Sequence, residues 1–228
     1  MIDYKYIKEE VTKVLGGDNS GHSMEHIFKV LKNAEIILES IDDSLVDKEV
    51  VKITCYLHDV DDYKIVGHEK AKTLANTHHV LNNIDVTQDQ KEKIIHIIEN
   101  MGYSKYLDGI RPASLEGKVV SDADMLDLGA NGIVRTLEYG FVKGRPVFDV
   151  NALPVAYKTK EEYQNTQMPS VNLFIDRILP IKNMMFTEKG KELALKRHRI
   201  VYDFLENFFE ERHEDCSAWL KLLKEYKA

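Results

Sequence analysis

The chain has 228 residues, of which 43% are hydrophobic and 30% are charged, so its composition is that of a folded globular protein and not of a disordered one. Its formal net charge of -7 argues against a surface that binds nucleic acid through clustered Lys and Arg, although local cations can still bind a small anion. Two cysteines exclude a disulfide framework and a cysteine-rich metal site, and both thiols are expected to be reduced.

The N-terminal segment mixes charged and apolar residues, which predicts neither a signal peptide nor a membrane anchor. No later stretch approaches the roughly 20 consecutive apolar residues of a membrane-spanning helix. We therefore expect a cytoplasmic protein that does not associate with membranes.

Helical periodicity is the dominant pattern along the chain. The first predicted helix ends at Gly16, the third follows the capping residues 42–44 and carries an apolar run into His58, and Pro112 opens the sixth. In chain order, the predicted helices cover residues 3–15, 22–40, 45–57, 67–81, 87–101, 112–127, 130–139, 170–185, 187–211 and 215–226.

One long stretch lacks any sustained helical period. Residues 140–165 contain Gly140, Gly144, Pro146 and Pro154, which predicts an irregular excursion with a short hairpin around 141–148. No other stretch alternates apolar and polar residues for long enough to form a sheet. The predicted class is therefore all-α, a helical bundle of roughly ten helices with an irregular or hairpin excursion near 140–165.

Histidine and aspartate side chains recur at the ends of three predicted helices. His22 and His26 are spaced i and i+4 on one helix face, His58 and Asp59 are adjacent at the end of another helix, and Asp124 lies near the end of a third. Two imidazoles and two carboxylates suit a borderline to hard divalent cation, with positions left for water and a substrate oxygen. The pattern predicts a catalytic site for one divalent cation, namely Mn, Ni, Co, Fe, Mg or Zn.

The order of these residues resembles that of the HD-domain metal-dependent phosphohydrolases. The resemblance implies that the metal ligands are His26, His58, Asp59 and Asp124, and it covers residues from about 20 to 210. The chain is most similar to a branch of small bacterial proteins that resemble nucleotide pyrophosphohydrolases. The motifs shared with that branch are His22-Ser23-Met24-Glu25-His26, Asp122-Ala123-Asp124-Met125-Leu126-Asp127 and Thr187-Glu188-Lys189-Gly190.

The resemblance also implies roles for residues around the metal. In related nucleotidases a carboxylate three residues after the aspartate of the His-Asp pair positions or activates the attacking water. That position is Asp62 in this chain. Lys29 occupies a position where the branch usually has Arg, and Lys64 lies shortly after the His58-Asp59 pair. Both are therefore candidate contacts for substrate phosphate. Arg145, in the irregular excursion, is either a third such contact or a surface charge. His22 either lines the pocket or caps its helix.

Several further residues have more than one interpretation. Asp127 is either a partner that supports a metal ligand or a helix-capping carboxylate, and Asp122 is expected to be solvated. His68, His78 and His79 are available for a second metal, but their spacing does not require one, so a single metal is predicted.

The predicted protein is a single domain over residues 1–228, with a core at about 20–130 and C-terminal helices at 165–226 closing the pocket. The resemblance implies a metal-dependent phosphohydrolase in which water attacks phosphorus in a nucleotide or another small phosphorylated metabolite. Two alternatives are a phosphodiesterase for cyclic nucleotides or oligonucleotides and a non-catalytic nucleotide-sensing module. Whether the protein is a homo-oligomer is left open.

Overall fold

A computed structural model describes residues 2–17, 23–154 and 168–227. Within these ranges the regular elements are helices and none is a strand, so the predicted all-α class is confirmed. In chain order, the α-helices are α1 (Tyr4–Leu15), α2 (Met24–Leu38), α3 (Lys48–Leu57), α4 (Tyr63–Val66), α5 (His68–Ala71), α6 (Ala75–Asn82), α7 (Gln88–Asn100), α8 (Tyr103–Leu107), α9 (Leu115–Met125), α10 (Ala130–Val142), α11 (Glu188–Glu210) and α12 (Ser217–Leu223).

The chain packs into two compact units, Met1–Asp124 and Met125–Ala228. The predicted metal ligands lie in the first unit. The single domain with C-terminal helices that close the pocket stays a prediction. No helix in the described ranges is long and apolar enough to cross a bilayer.

The first unit is built around α3. Seven of the ten residues of α3 are buried, and α1, α2 and α7 pack against it. Complete burial of a side chain such as Ile53 or Leu57 contributes about 1.5–3 kcal/mol of stability, which accounts for the central place of this apolar helix. The apolar stripe of α2, with Ile27 and Val30 fully buried, faces the same core.

The start of α3 differs from the prediction. Residues 43–45 form a single 3₁₀ turn, and the carboxylate of Asp47 caps α3 by accepting hydrogen bonds from the backbone N–H groups of Glu49 at 3.0 Å and Val50 at 3.1 Å. Asp42 and Asp47 are both good helix-capping residues. The α-helix starts after Asp47 because the first buried turn follows that residue.

The predicted helix at 67–81 is replaced by two short helices, α5 and α6, and a further short helix, α4, precedes Gly67. Gly67 has a φ of 84°, and Leu74 adopts the left-handed conformation with a φ of 47°. Each of these residues interrupts the right-handed helix, because its N–H and carbonyl no longer point along a common axis. The apolar period of the sequence runs through the interruption at Leu74, which is why it predicts one continuous helix.

The second unit has its own apolar core. Trp219 of α12 is fully buried, and its indole N–H donates to the carbonyl of Val150 at 2.9 Å, which fixes the irregular segment that follows α10. The core consists of Val171, Phe174, Ile175, Leu179, Val201, Tyr202, Leu205, Phe209, Cys216, Trp219 and Leu223.

The segment predicted as a helix at 170–185 contains a π-helical stretch, Phe174–Ile178, followed by a 3₁₀ stretch, Leu179–Asn183. Pro180 lies at the start of the 3₁₀ stretch, where its missing N–H is tolerated. The irregular excursion is present from 143 to 154, and no strand occurs in that described part. The predicted hairpin around 141–148 is wrong, because α10 continues to Val142 and occupies its first positions.

Candidate metal centre

Three helices of the first unit bring four predicted metal ligands to one place. His26 lies in the first turn of α2, His58 ends α3, Asp59 is in the turn that follows, and Asp124 is in the last turn of α9. The side chains of His26 and His58 are only 3% and 2% exposed, whereas that of Asp124 is 24% exposed. The cluster is therefore open to solvent mainly on its carboxylate side.

The donor atoms converge. Nε2 of His26 lies 3.3 Å from Nε2 of His58, 3.5 Å from Oδ2 of Asp59 and 3.2 Å from Oδ1 of Asp124. Nε2 of His58 lies 3.3 Å from Oδ2 of Asp59 and 3.8 Å from Oδ1 of Asp124. Donors that surround one cation at about 2.0–2.2 Å are roughly 3–3.5 Å apart, so this spacing fits a divalent cation.

The orientation of His58 is set by its other ring nitrogen. Nδ1 lies 2.9 Å from the carbonyl oxygen of Cys55, one turn earlier in α3. Because a carbonyl only accepts, Nδ1 carries the proton in the neutral ring and the lone pair is on Nε2, which faces the cluster. This arrangement is typical of metal-binding histidines.

One group of candidate metal ligands occurs among the described residues. His26, His58 and Asp124 form the one group of three or more candidate ligands found in the ranges 2–17, 23–154 and 168–227. His68, His78 and His79 do not join such a group. The single metal stays a prediction, and the donor set suits borderline and hard divalent cations.

Charge interactions within the cluster shift two pKa values. Burial alone would lower the pKa of His58, but the Asp59 carboxylate and then Asp124 outweigh it and raise that pKa to about 9. Burial would raise the pKa of Asp124, but the hydrogen bond from His26 and the charge of His58 lower it.

The raised pKa of His58 predicts that the stability of chelator-treated, metal-free protein depends on pH. The folded pKa of His58 lies above its ordinary value of 6.5, so its contribution to stability is complete below about pH 6.5 and is lost as the pH rises through 9. The expected loss is on the order of 3 kcal/mol in the free energy of unfolding, measured by urea denaturation from pH 6 to 10. Conversely, Mn²⁺ should bind more tightly as the pH rises over this range, because proton and cation compete for Nε2.

His58→Gln is the matched control for this titration, since it removes the ionisable ring and keeps an amide of similar size. Its stability should change less between pH 6 and 10 than that of the chelated wild-type protein. An identical pH profile for the two proteins would contradict the shifted pKa of His58.

Three further predicted site residues of the first unit contact residues near them in the chain. Asp62 is half-buried and caps α4, since its Oδ1 accepts from the backbone N–H of Lys64 at 2.8 Å. The ammonium group of Lys64 is exposed, 5.7 Å from the ring of Tyr63. Lys29 forms an i,i+4 ion pair with Glu25 at 2.8 Å.

The other two predicted contacts are Arg145 and His22. Arg145 belongs to the second unit, where its guanidinium lies 5.4 Å from the ring centre of Tyr139. His22 lies outside the described residues. Both therefore stay predictions.

The predicted solvation of Asp122 is wrong, because this residue is fully buried. It belongs to α9, whose residues Val119, Val120 and Ala123 are also inaccessible to solvent, so Asp122 lies on a buried face of this helix.

Asp127 forms a buried ion pair within the second unit. Nη1 of Arg135 lies 3.2 Å from Oδ2 of Asp127, and Nη2 of Arg135 donates to the carbonyl of the same residue at 3.3 Å. Arg197 of α11 donates to the carbonyl of the preceding residue, Leu126. Two arginines thus hold the turn that follows α9, and sequence reasoning missed both of them.

Asp127→Ala is expected to lower the free energy of unfolding by about 1–2 kcal/mol and to leave the affinity for Mn²⁺ within threefold of wild type. The reason is that Asp127 pairs with Arg135, which is about one-third exposed and can turn to water once its partner is lost. Urea denaturation and calorimetric titration with Mn²⁺ measure the two quantities. A large loss of metal affinity would instead favour the interpretation of Asp127 as a support for a metal ligand.

Sequence reasoning also missed two polar residues of the first unit. Asp61 is buried and caps α6 by accepting from the backbone N–H of Thr77 at 2.8 Å and from its hydroxyl at 2.8 Å. Asn33 is buried on α2. Its signal was present in the sequence, because an amide interrupts the apolar stripe two turns after His26.

The all-α fold and the cluster of two imidazoles and two carboxylates define a helical protein with a site that suits a divalent cation. The HD domain family matches residues 24–129. A crystal structure of an HD-superfamily hydrolase from Bacillus thuringiensis is 30% identical and has a TM-score of 0.64, over 91% of this chain and 96% of that one. The chain belongs to the HD-domain superfamily, as its motifs predicted, and this membership indicates a hydrolase.

Two further proteins are similar over most of the chain. A Lactobacillus plantarum protein of known crystal structure is 30% identical, with a TM-score of 0.77, over 92% of this chain and 98% of that one. The Bacillus subtilis protein YpgQ is 27% identical over 201 residues, which are 87% of this chain and 88% of YpgQ. A crystal structure of YpgQ in complex with ADP has a TM-score of 0.69 at 24% identity, over 91% of this chain and 98% of that one.

Proposed function

We propose that the protein is a metal-dependent phosphohydrolase that acts on a nucleotide or another small phosphorylated metabolite. The observation that carries the proposal is the convergence of Nε2 of His26, Nε2 of His58 and Oδ1 of Asp124, at separations of 3.2–3.8 Å. Oδ2 of Asp59 lies 3.5 Å and 3.3 Å from the two imidazole nitrogens. Membership of the HD-domain superfamily supports hydrolysis. The ADP complex of YpgQ supports a nucleotide as the substrate.

In this proposal, His26, His58, Asp59 and Asp124 hold one divalent cation. A cation at this position lowers the pKa of water and neutralises charge on a phosphoryl oxygen. The hydrogen bond from Nδ1 of His58 to Cys55 keeps the ring in the tautomer that presents a lone pair to the cluster. The buried imidazoles exclude bulk water from one side, so substrate approaches from the more exposed side of Asp124.

Asp62 is the proposed general base. It orients the attacking water and accepts its proton while the water oxygen forms a bond to phosphorus and the bond to the leaving oxygen breaks. One oxygen of Asp62 accepts from the N–H of Lys64, which leaves the second oxygen available to water. The side chains of Lys29, Lys64 and Arg145, and the ring of His22, are the proposed contacts for substrate phosphate.

The test is a substrate panel assayed with each of several metals. Chelator-treated protein is supplied with Mn²⁺, Ni²⁺, Co²⁺, Fe²⁺, Mg²⁺ or Zn²⁺ and incubated with nucleoside mono-, di- and triphosphates, cyclic nucleotides and short oligonucleotides. Phosphate or pyrophosphate release from a nucleotide, dependent on metal, is the expected result. The position of ¹⁸O from labelled water in the products identifies the bond that is cleaved.

Other outcomes of the same panel separate the alternatives. Turnover of cyclic nucleotides or oligonucleotides alone would indicate a phosphodiesterase. A nucleotide that raises the melting temperature of metal-loaded protein, with no turnover of any compound, would indicate a non-catalytic sensing module. Either result would contradict the proposed activity while leaving the metal ligands in place.

A further inference from the structure

One buried amide connects the helix of His26 to the helix of Asp124. Asn33 lies on α2, seven residues after His26, and is only 4% exposed. Seven residues are nearly two full helical turns, so the two side chains project from the same face of α2. Nδ2 of Asn33 donates to the carbonyl oxygen of Ala123, on α9, at 2.9 Å. The acceptor immediately precedes Asp124 in the chain.

The acceptor needs a donor from outside its own helix. Because α9 ends at Met125, the carbonyl of Ala123 belongs to the last turn, whose carbonyls lack partners within a regular helix. Ala123 is fully buried, so bulk water does not supply the donor. The neighbouring inward positions of α2, Val30, Ala34 and Ile37, are apolar and could not do so either.

We propose that Asn33 is a positioning residue that fixes Asp124 relative to His26, an inference that rests on the proposed metal-dependent function. Its hydrogen bond resists sliding and rotation of the end of α9 against α2. The separation between Nε2 of His26 and Oδ1 of Asp124, 3.2 Å, depends on that alignment. Metal sites require their ligands to be held within about 0.5 Å of the productive geometry, so a small shift of α9 weakens binding.

The test measures the affinity of the chelator-treated full-length protein for Mn²⁺ and for Zn²⁺ by calorimetric titration. Asn33→Leu keeps the volume of the side chain and removes the donor, and it should weaken binding of both cations about tenfold, the lower end of the range for residues that support metal ligands. Asn33→Gln keeps an amide donor and should recover most of the affinity. Far-ultraviolet circular dichroism and urea denaturation verify that each variant is folded.

Thr54→Val is the matched control. Thr54 is buried in α3, and its hydroxyl donates to the carbonyl of Val50 at 2.6 Å within the same helix. The substitution therefore removes a buried bond from a side chain to a carbonyl without releasing one helix from another. It should lower stability and leave the affinity for both cations unchanged.

Each outcome decides between the inference and its alternatives. If Asn33→Leu does not fold, Asn33→Ser is measured instead, because its shorter side chain does not reach Ala123 and the same tenfold loss is expected. Equal affinity for wild type and a folded Leu or Ser variant overturns the inference and leaves the proposed function intact. An equal loss in Thr54→Val also overturns it, since the effect would then follow stability alone. Wild-type protein that binds none of the six cations of the panel overturns the proposed function, and this inference with it.

Discussion

Asp59→Ala is expected to remove the bound cation and nearly all hydrolytic activity while the helical circular dichroism stays unchanged. Oδ2 of Asp59 lies 3.5 Å from Nε2 of His26 and 3.3 Å from Nε2 of His58, so it belongs to the donor cluster. Affinity for the cation should fall by more than about 100-fold, because losing a mere supporting partner of a ligand already costs about 10- to 100-fold. The rate should fall on the order of 10³-fold, since the cation contributes several kcal/mol to the transition state.

The matched control for this variant is Asp61→Asn. Asp61 is also a buried aspartate, two residues further along the chain, but its oxygens accept from the backbone N–H groups of Asn76 at 3.1 Å and Thr77 at 2.8 Å. The control should therefore lose stability and retain the metal. Metal content is measured by elemental analysis of purified protein and by calorimetric titration. Full metal content in Asp59→Ala would remove this residue from the proposed ligands.

Asp62→Asn is expected to retain the metal and lose about 10²- to 10⁴-fold in turnover, the usual contribution of a general base. The substitution separates two roles of one side chain. Asp62 caps α4 through the N–H of Lys64, and asparagine caps helices about as well as aspartate, so stability should stay within about 0.5 kcal/mol of wild type. The amide, unlike the carboxylate, cannot take a proton from water.

Asp42→Asn provides the comparison for this second variant. Asp42 is likewise a capping aspartate, accepting from the backbone N–H of Ser44 at 2.9 Å, and it is not part of the donor cluster. Turnover should be unchanged in this control. An unchanged rate in Asp62→Asn would exclude the role as base, and a parallel loss of metal and rate would make Asp62 a metal ligand.

The parts of the fold that could be predicted are those whose causes are local. The helices predicted at 22–40, 87–101 and 187–211 are observed as α2, α7 and α11, each shorter by one or two residues at either end. Two of them begin at a threonine that caps its own helix, Thr87 and Thr187, so both the apolar period and the start signal are contained in the same few residues.

The parts that could not be predicted depend on distant neighbours. Leu74 adopts a left-handed conformation that its own side chain does not favour, and the break it makes before α6 is held by Asp61, whose carboxylate caps that helix. Asp122 was expected in water because it is charged, and the burial of α9 around it has no signature in its immediate sequence.

The candidate site shows the same division. The pattern of histidines and aspartates predicts helix-borne donors for one divalent cation, and the resemblance implies that the four ligands are His26, His58, Asp59 and Asp124. The packing of α2, α3 and α9 then brought the atoms together, and no local pattern encodes that step. The amide of Asn33 in the apolar stripe indicates a buried polar contact, but its partner is the backbone of Ala123, which the sequence does not identify because every residue has a carbonyl.

Under the proposed function, the dispersal of the donors over residues 26, 58–59 and 124 would link the lifetime of the protein to metal supply. In an unfolded chain the three parts of the cluster are far apart, so a cation that uses all of them binds the native state in preference to the unfolded one. At a free concentration 100 times the dissociation constant, such a ligand adds about 2.7 kcal/mol to the free energy of unfolding. A cell starved of the cation would then hold a larger unfolded fraction, and proteolysis would reduce the abundance of the protein in addition to the loss of catalysis.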